Sequence, residues 1–141
     1  MRISVDGDHH EPLYRRIVDE IKHQIAVGKL QRGEQLPTVR GLAQQLKVDR
    51  NTVVRAYRIL DRDGVISLQH GRGTFVRSHP QHPQLARHRE ERLRVLVSEA
   101  IAKGLALGYS TEEIEQAFSK NMKEWRRARS NVHQKRNGAS R

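Results

Sequence analysis

The sequence contains no cysteine, and it is poor in the residues that build large cores or membrane spans. Without cysteine there is no disulfide framework, no thiolate metal site and no cysteine nucleophile. Aromatic residues make up 4% of the 141 residues, so any hydrophobic core is modest. No apolar run approaches the roughly 18 residues that span a bilayer, and the N-terminus lacks the apolar segment of a signal peptide. These absences predict a soluble, cytoplasmic protein.

Positive charge is what the sequence has in excess. Lys and Arg number 27 against 16 Asp and Glu, which gives a formal net charge of +11. A domain this basic attracts polyanions, and its binding weakens steeply with added salt. Nucleic acid is therefore the favoured partner. Charge alone also permits an anionic membrane surface or a simple role in solubility, but no membrane partner is expected.

Apolar residues in the first half of the chain recur with the spacing of amphipathic helices. One helix is predicted between Glu11 and Gly28, and the turn-forming residues of 29–37 indicate a connector. A second helix is predicted after Thr38 and a third after Asp49, since both residues are good N-caps. Two short helices with a three-residue turn between them are typical of a helix-turn-helix.

Two short apolar stretches, residues 65–68 and 74–76, follow the third helix. They flank the glycine-rich, basic segment 69–73, and this pattern predicts a β-hairpin wing. The predicted fold class is mainly α with a small β-hairpin wing, and the winged helix-turn-helix domain is assigned to residues 11–77.

The chain beyond this domain is predicted to contain two helices that break at Gly108–Tyr109, the second capped by Ser110 or Thr111. Residues 84–127 are assigned to a C-terminal two-helix dimerisation element. Its predicted interface comprises Leu93, Leu96, Val97, Ile101, Leu105, Ile114, Phe118, Met122 and Trp125. The alternative is that these side chains fold back on the winged domain as ordinary core. Residues 128–141, basic and without acidic residues, are predicted to form a disordered tail.

The third helix has an apolar face for the core and a polar face for DNA. The DNA-facing set is predicted to be Arg50, Asn51, Thr52, Val54, Arg55 and Arg58. The first turn of a recognition helix meets base edges, where Arg50 can hold a guanine bidentately and Asn51 can pair with adenine. Val54 can touch a thymine methyl. Arg55 and Arg58 are equally consistent with phosphate contact and with a solvated helix face.

Further DNA contacts are predicted outside the third helix. Arg40 lies in the first turn of the second helix, which crosses the DNA backbone, and is assigned to a phosphate. Thr38, the cap of that helix, is grouped with it. In the wing, His70, Gly71 and Arg72 can lie along a groove, with Arg72 entering a narrow minor groove.

The stretch from Pro12 to Val76 resembles the DNA-binding domain of GntR-type bacterial transcription regulators. The resemblance is carried by Pro12-Leu13-Tyr14, Leu30, Gly33, Leu36-Pro37-Thr38-Val39-Arg40, Leu42-Ala43, Leu46, Val48, Arg50, Thr52-Val53, Ala56-Tyr57, Leu60, Gly64, Ile66, Gly71 and Gly73-Thr74-Phe75-Val76. It implies that operator DNA is contacted by Arg40, Arg50, Thr52, His70 and Gly71.

The sequence departs from the pattern of that family at two positions. Many members have an arginine where Val54 stands and a serine or threonine where Asp49 stands, so base preference is expected to differ there. The residues after Arg77 are too few for the larger ligand-binding domains of the family. A short pair of helices resembles the YtrA-like branch, in which the appendage chiefly makes the dimer.

Catalytic, metal and cofactor sites are not predicted. Asp61 and Asp63 lie among arginines, where a solvated ion-pair role is expected. His79, His82 and His88 are conceivable metal ligands, but the first two lie in a proline-bearing linker without a rigid framework.

The remaining competitor is a winged-helix protein that binds RNA or coats the chromosome without sequence preference. The sequence favours a sequence-specific regulator, a homodimeric repressor of an inverted-repeat operator. It identifies neither the operator nor a small-molecule effector.

Overall fold

The computed structural model of the chain describes residues 11–78 and 83–138. Eight elements follow one another along these residues. They are α1 (Leu13–Ala26), β1 (Gln35–Leu36), α2 (Val39–Leu46), α3 (Arg50–Arg62), β2 (Ile66–Gln69), β3 (Gly73–Val76), α4 (Pro83–Ala106) and α5 (Thr111–Gly138). The described residues up to Ser78, together with those from Asn131 onward, form one compact unit, and the residues between form a second.

Helix α1 confirms the first predicted helix. Its residues Ile17 and Ile21, one turn apart, are fully buried. The helix ends at Ala26, and the chain turns away at Gly28, whose φ of +86° lies in the left-handed region that glycine adopts without strain. The amide of Leu30 then donates to the carbonyl of Gln24 at 3.1 Å and turns the chain back toward the core.

Helices α2 and α3 begin at the two predicted caps. The Thr38 hydroxyl accepts a hydrogen bond from the amide of Gly41 at 3.0 Å. The Asp49 carboxylate accepts one from the amide of Asn51, also at 3.0 Å. Between the helices, Lys47 adopts a left-handed conformation with φ +56°, which compresses the turn to three residues. The helix-turn-helix is confirmed.

The sheet has three strands in the order β1-β3-β2, all antiparallel. The predicted wing hairpin is confirmed as β2 and β3. The prediction that residues 29–37 are only a connector is wrong at its end, because β1 pairs Gln35 with Phe75 and Leu36 with Thr74. Strand β3 is therefore paired along both edges, with β2 inside the wing and with β1 from the rest of the domain.

One hydrophobic core joins the helices of the winged domain to its sheet. Its buried members are Ile17, Val18, Ile21, Leu30, Leu36, Leu42, Ala43, Val53, Ala56, Tyr57, Leu60, Ile66 and Val76. Every one of the helices and strands from α1 to β3 contributes at least one of these side chains. The orientation of α3 is therefore fixed by packing against all of its neighbours.

Helix α4 ends at Ala106, just before the predicted break at Gly108–Tyr109, and α5 begins at Thr111, just after it. The cap of α5, expected at either of two adjacent residues, is Ser110. Its hydroxyl accepts from the amide of Glu113 at 3.1 Å, and the Glu113 carboxylate accepts from the amide of Ser110 at 3.2 Å. This is a reciprocal capping box. Where the helices meet, a Cβ built on Gly104 would lie 2.9 Å from Cδ1 of Ile114, so a side chain there would require Ile114 to shift.

The predicted disordered tail over residues 128–141 is wrong for 128–138, which continue α5 to Gly138. Residues 139–141 lie outside the described part of the chain. The segment lacks proline, and cationic side chains near a helix C-terminus favour the helix through its dipole. Arg136 belongs to the first unit, as do the residues that it contacts. Its guanidinium donates to the carbonyl of Lys29 and lies 3.8 Å from the Glu34 carboxylate.

None of the helices described combines the length and apolar character that crossing a bilayer requires.

Candidate DNA interface

The polar face of α3 is the centre of the candidate interface. Its exposed side chains are Arg50, Asn51, Arg55 and Arg58. The opposite face of the helix is buried and consists of Val53, Ala56, Tyr57 and Leu60. Thr52 and Val54 are half-buried, so Val54 offers only part of its side chain to a partner. The helix thus presents arginines at its start and along its outer face, while its inner face stays packed in the core.

The guanidinium of Arg55 is positioned by an aromatic ring of α1. It lies 3.9 Å from the centroid of the Tyr14 ring, a cation–π contact. This stacking holds the charge close to the helix surface and restricts its rotamers. Such a side chain is suited to a fixed phosphate contact rather than to reaching a base edge. Reasoning from the sequence missed this role of Tyr14, because it depends on how two helices pack.

A buried hydroxyl connects α3 to the start of α2. Tyr57, 1% exposed, donates from its hydroxyl to the backbone carbonyl of Pro37 at 2.7 Å. Burial raises the pKa of the Tyr57 hydroxyl, so it stays a protonated donor. Thr38 follows Pro37 directly, Arg40 lies two residues further on, and both are exposed. The bond therefore brings the two predicted contact residues of α2 alongside the recognition helix.

Charge is distributed unevenly along α3. At its C-terminal end the carboxylates are paired: Asp63 lies 3.2 Å from the Lys22 ammonium, and Asp61 lies 3.8 Å from the guanidinium of Arg77. These pairs confirm the ion-pair role expected for both. By contrast, Arg50 in the first turn and Arg58 on the outer face have no carboxylate partner within residues 11–78 and 83–138. Positive charge is thus left unneutralised on the part of the helix predicted to meet DNA.

The wing tip is a tight turn whose residues point to solvent. His70, Gly71 and Arg72 are all exposed, and Gly71 has φ +77°. The amide of Arg72 donates to the carbonyl of Gln69 at 3.0 Å and closes the turn. On its other side, the carbonyl of Arg72 accepts a 3.3 Å hydrogen bond from the side-chain amide of Gln35. Reasoning from the sequence also missed Gln35, because nothing in a two-residue strand signals its partner.

The segment 35–38 links these parts of the interface. At one end Gln35 touches the wing tip, and at the other Pro37 accepts from α3 and Thr38 caps α2. This short segment thus connects the wing, the recognition helix and the helix before it. The predicted contact residues of all three elements belong to one compact unit.

The apolar side chains predicted for the dimer lie on the surface of the second unit. Leu96 is 63% exposed and Phe118 is 39% exposed, and an exposed group of large apolar side chains is more informative than a single one. The other exposed members are Leu93, Val97, Leu105, Met122 and Trp125, while Ile101 and Ile114 are half-buried. A single copy of this helix pair leaves most of the predicted set uncovered by its own residues.

Three histidines are the conceivable metal ligands of the sequence. His79 and His82 lie outside the described residues, and His88 is exposed on α4. Within the described ranges, no three histidine, aspartate or glutamate side chains gather in the manner of a metal site.

Comparison with known proteins assigns the winged domain to one family. The family model "Bacterial regulatory proteins, gntR family" matches residues 13–76, from the start of α1 to the end of β3. Among curated proteins, the chain is 36% identical over 74 residues to the HTH-type transcriptional repressor YtrA of Bacillus subtilis. That match covers 52% of this chain and 57% of the repressor, so it spans little more than half of the relative.

Two further comparisons extend beyond the winged domain. The chain is 34% identical over 110 residues to an HTH-type transcriptional regulator of Mycobacterium tuberculosis, covering 77% of this chain and 91% of that protein. The solved structure of YtrA from Sulfolobus acidocaldarius, a GntR-family transcription factor, superimposes with a TM-score of 0.65 at 32% identity. It covers 86% of this chain and 97% of its own, so the likeness includes the C-terminal helices.

Proposed function

Because the chain belongs to the GntR family of bacterial regulatory proteins, in its YtrA-like branch, we propose that it represses transcription as a homodimer on an inverted-repeat operator. As a member of this family it is a DNA-binding transcription regulator and not an enzyme. The operator is double-stranded DNA in the cytoplasm, and the binding surface is the face of the winged domain that carries the start of α2, the start of α3 and the wing tip.

The observation that carries this proposal is the unneutralised start of α3. Arg50 and Asn51 are exposed in its first turn, on a helix whose opposite face is locked into the core. An arginine and an asparagine are the side chains that pair bidentately with guanine and adenine in the major groove. Thr38 and Arg40, held beside this helix by the Tyr57–Pro37 bond, would then reach the flanking phosphates.

The dimer is supported by the exposed apolar surface of α4 and α5. Side chains such as Leu93, Leu96 and Met122 are half or more exposed within one copy. A patch of this kind marks an interaction site, and a second copy of the same hairpin would bury it by two-fold symmetry. Two winged domains related by that axis would read two half-sites about one helical turn apart, or a multiple of that distance. Occupying a promoter in this way excludes polymerase without further machinery.

The test is selection of bound duplexes from a random pool by the full chain. Recovered sequences should share an inverted repeat. Gel shifts at physiological salt should then show at least about a thousandfold preference for the selected duplex over scrambled DNA, the lower end for specific regulators. Arg50→Ala should reduce that preference, whereas Arg87→Ala, an equal loss of charge on α4, should leave it intact. Equal affinity for scrambled DNA or an RNA duplex would instead identify a non-specific nucleic-acid-binding protein.

A further inference from the structure

We propose that Gln35 is a positioning residue for DNA recognition: it holds the wing tip in the conformation in which Arg72 reaches the DNA. The inference rests on the proposed function, since it assumes that the wing contacts the operator. Gln35 itself is not a contact residue in this proposal. It acts from the neighbouring strand through the backbone of the tip.

The geometry places Gln35 against the tip from the side. It belongs to β1, pairs with Phe75 of β3, and is exposed. Its side-chain Nε2 donates to the backbone oxygen of Arg72 at 3.3 Å, across 37 residues of sequence. β1 thus contributes a side-chain hydrogen bond just beyond the last residue of the hairpin ladder, where the pairing of β2 with β3 ends at Gln69 and Gly73.

Gly73 makes room for this amide. It has φ +118°, a conformation that side-chain-bearing residues rarely adopt. A Cβ built there would lie 2.7 Å from Nε2 of Gln35, closer than real Cβ contacts come. The Gln35 amide therefore lies close to the backbone of residue 73, and a Cβ there would displace it from its present position. The hydrogen bond to Arg72 and the close approach to Gly73 both place this amide against the wing tip.

The tip needs such support. An isolated hairpin of two four-residue strands is marginal in water, and His70 to Arg72 bury nothing that would fix them. The turn itself is closed by the bond from the Arg72 amide to Gln69. An arginine that must enter a groove binds more tightly when its backbone is ordered beforehand, because less conformational entropy is lost on binding. Gln35 supplies that order from outside the hairpin.

The free protein provides the first test. Gln35→Met keeps the length of the side chain and removes its donor, and Gln44→Met makes the same change at an exposed position of α2. Backbone ¹⁵N relaxation should show increased motion of residues 70–73 in Gln35→Met only, with both variants melting at the wild-type temperature. An unchanged wing tip in Gln35→Met would overturn the proposal without reference to DNA.

The second test is a double-mutant cycle with Arg72→Ala on the duplex selected by the wild-type chain. Gln35→Met should weaken binding about two- to tenfold, the range that one neutral hydrogen bond allows. In the Arg72→Ala background it should have no further effect, because the group that it positions is gone. An effect of Gln35→Met that is equal in both backgrounds would mean that it acts elsewhere, and would overturn the proposal.

The same cycle separates this inference from the proposed function. If Arg72→Ala weakens binding and Gln35→Met does not, the role of Gln35 is refuted while the wing contact stands. If Arg72→Ala binds like the wild type, the wing contact itself is refuted, and the role of Gln35 with it.

Discussion

The hydroxyl of Tyr57 and the carbonyl of Pro37 form a 2.7 Å hydrogen bond between the middle of α3 and the residue that precedes the cap of α2. The other buried side chains of α3, those of Val53, Ala56 and Leu60, are apolar and pack without directional bonds. The Tyr57 bond therefore adds a directional contact between the two helices of the motif to the apolar packing that orients α3.

Tyr57→Phe removes this bond and leaves the carbonyl of Pro37 without its donor. We expect the free energy of unfolding of the winged domain to fall by about 1–2 kcal/mol, as for other part-buried carbonyls. Urea denaturation followed by circular dichroism measures it. Tyr109→Phe is the control, since Tyr109 is 56% exposed and belongs to the second unit. Identical midpoints for the two variants would show that the bond contributes nothing.

Arg50→Ala should affect base readout. We expect it to cost about 1–3 kcal/mol on the selected operator and to relax the preference at one base pair. Arg55→Ala, which removes the guanidinium stacked on Tyr14, should instead weaken all sequences about equally. Titrations of both variants on the operator and on a scrambled duplex make the comparison. If Arg50→Ala weakens binding to the scrambled duplex as much, Arg50 contacts phosphate and not a base.

Truncation after Ser130 should alter the salt dependence of DNA binding. It removes Lys135, Arg136 and Arg141, and the slope of log affinity against log salt should become shallower by at most about 0.9 for each phosphate that they neutralise. Operator preference should change little. Arg136 pairs with Glu34 in a half-exposed ion pair, so its removal should also cost the winged domain at most about 1 kcal/mol. Binding that no longer prefers the operator would mean that this segment takes part in sequence readout.

Substituting Leu96 and Phe118 with charged residues should dissociate the dimer. Both side chains are exposed in one copy, so the substitutions leave the winged domain folded while they place charge in the proposed interface. Sedimentation velocity should show a shift toward monomer, with the helical circular dichroism signal retained. Truncation at Pro83 should also give a monomer that binds a half-site weakly. A stable dimer formed without residues 84–141 would place the interface in the winged domain.

Most of the winged domain could be predicted from the sequence because its signals are local. The N-caps Thr38 and Asp49 accept hydrogen bonds from amides two or three residues further on, so the start of each helix can be recognised locally. The spacing of apolar residues in α3 likewise identifies its buried face. By contrast, β1 is too short to show an alternating pattern, and its partner β3 follows only after two helices and another strand. The residues near β1 give no local sequence signal for a strand partner this far along the chain.

The remaining differences have the same physical origin. The C-terminal segment has the composition of a disordered tail, yet its helix continues to Gly138 and Arg136 finds its acceptors at Lys29 and Glu34, far earlier in the chain. The sequence predicts the N-cap of α5 only as Ser110 or Thr111, because either hydroxyl can cap a helix. The backbone conformation decides between them, and it places the Ser110 hydroxyl against the amide of Glu113. The placement of Arg55 over Tyr14 likewise depends on how α1 and α3 pack.

The division of α3 into a buried face and an exposed face has a consequence for how such a regulator diverges. Val53, Ala56, Tyr57 and Leu60 maintain the fold, while Arg50 and Asn51 contribute nothing to the core. Exposed substitutions of this kind usually change stability by no more than about 0.5 kcal/mol. After gene duplication, one copy can therefore explore new operator sequences at these positions and never approach unfolding. The set of operators that it binds can therefore change while its fold stays the same.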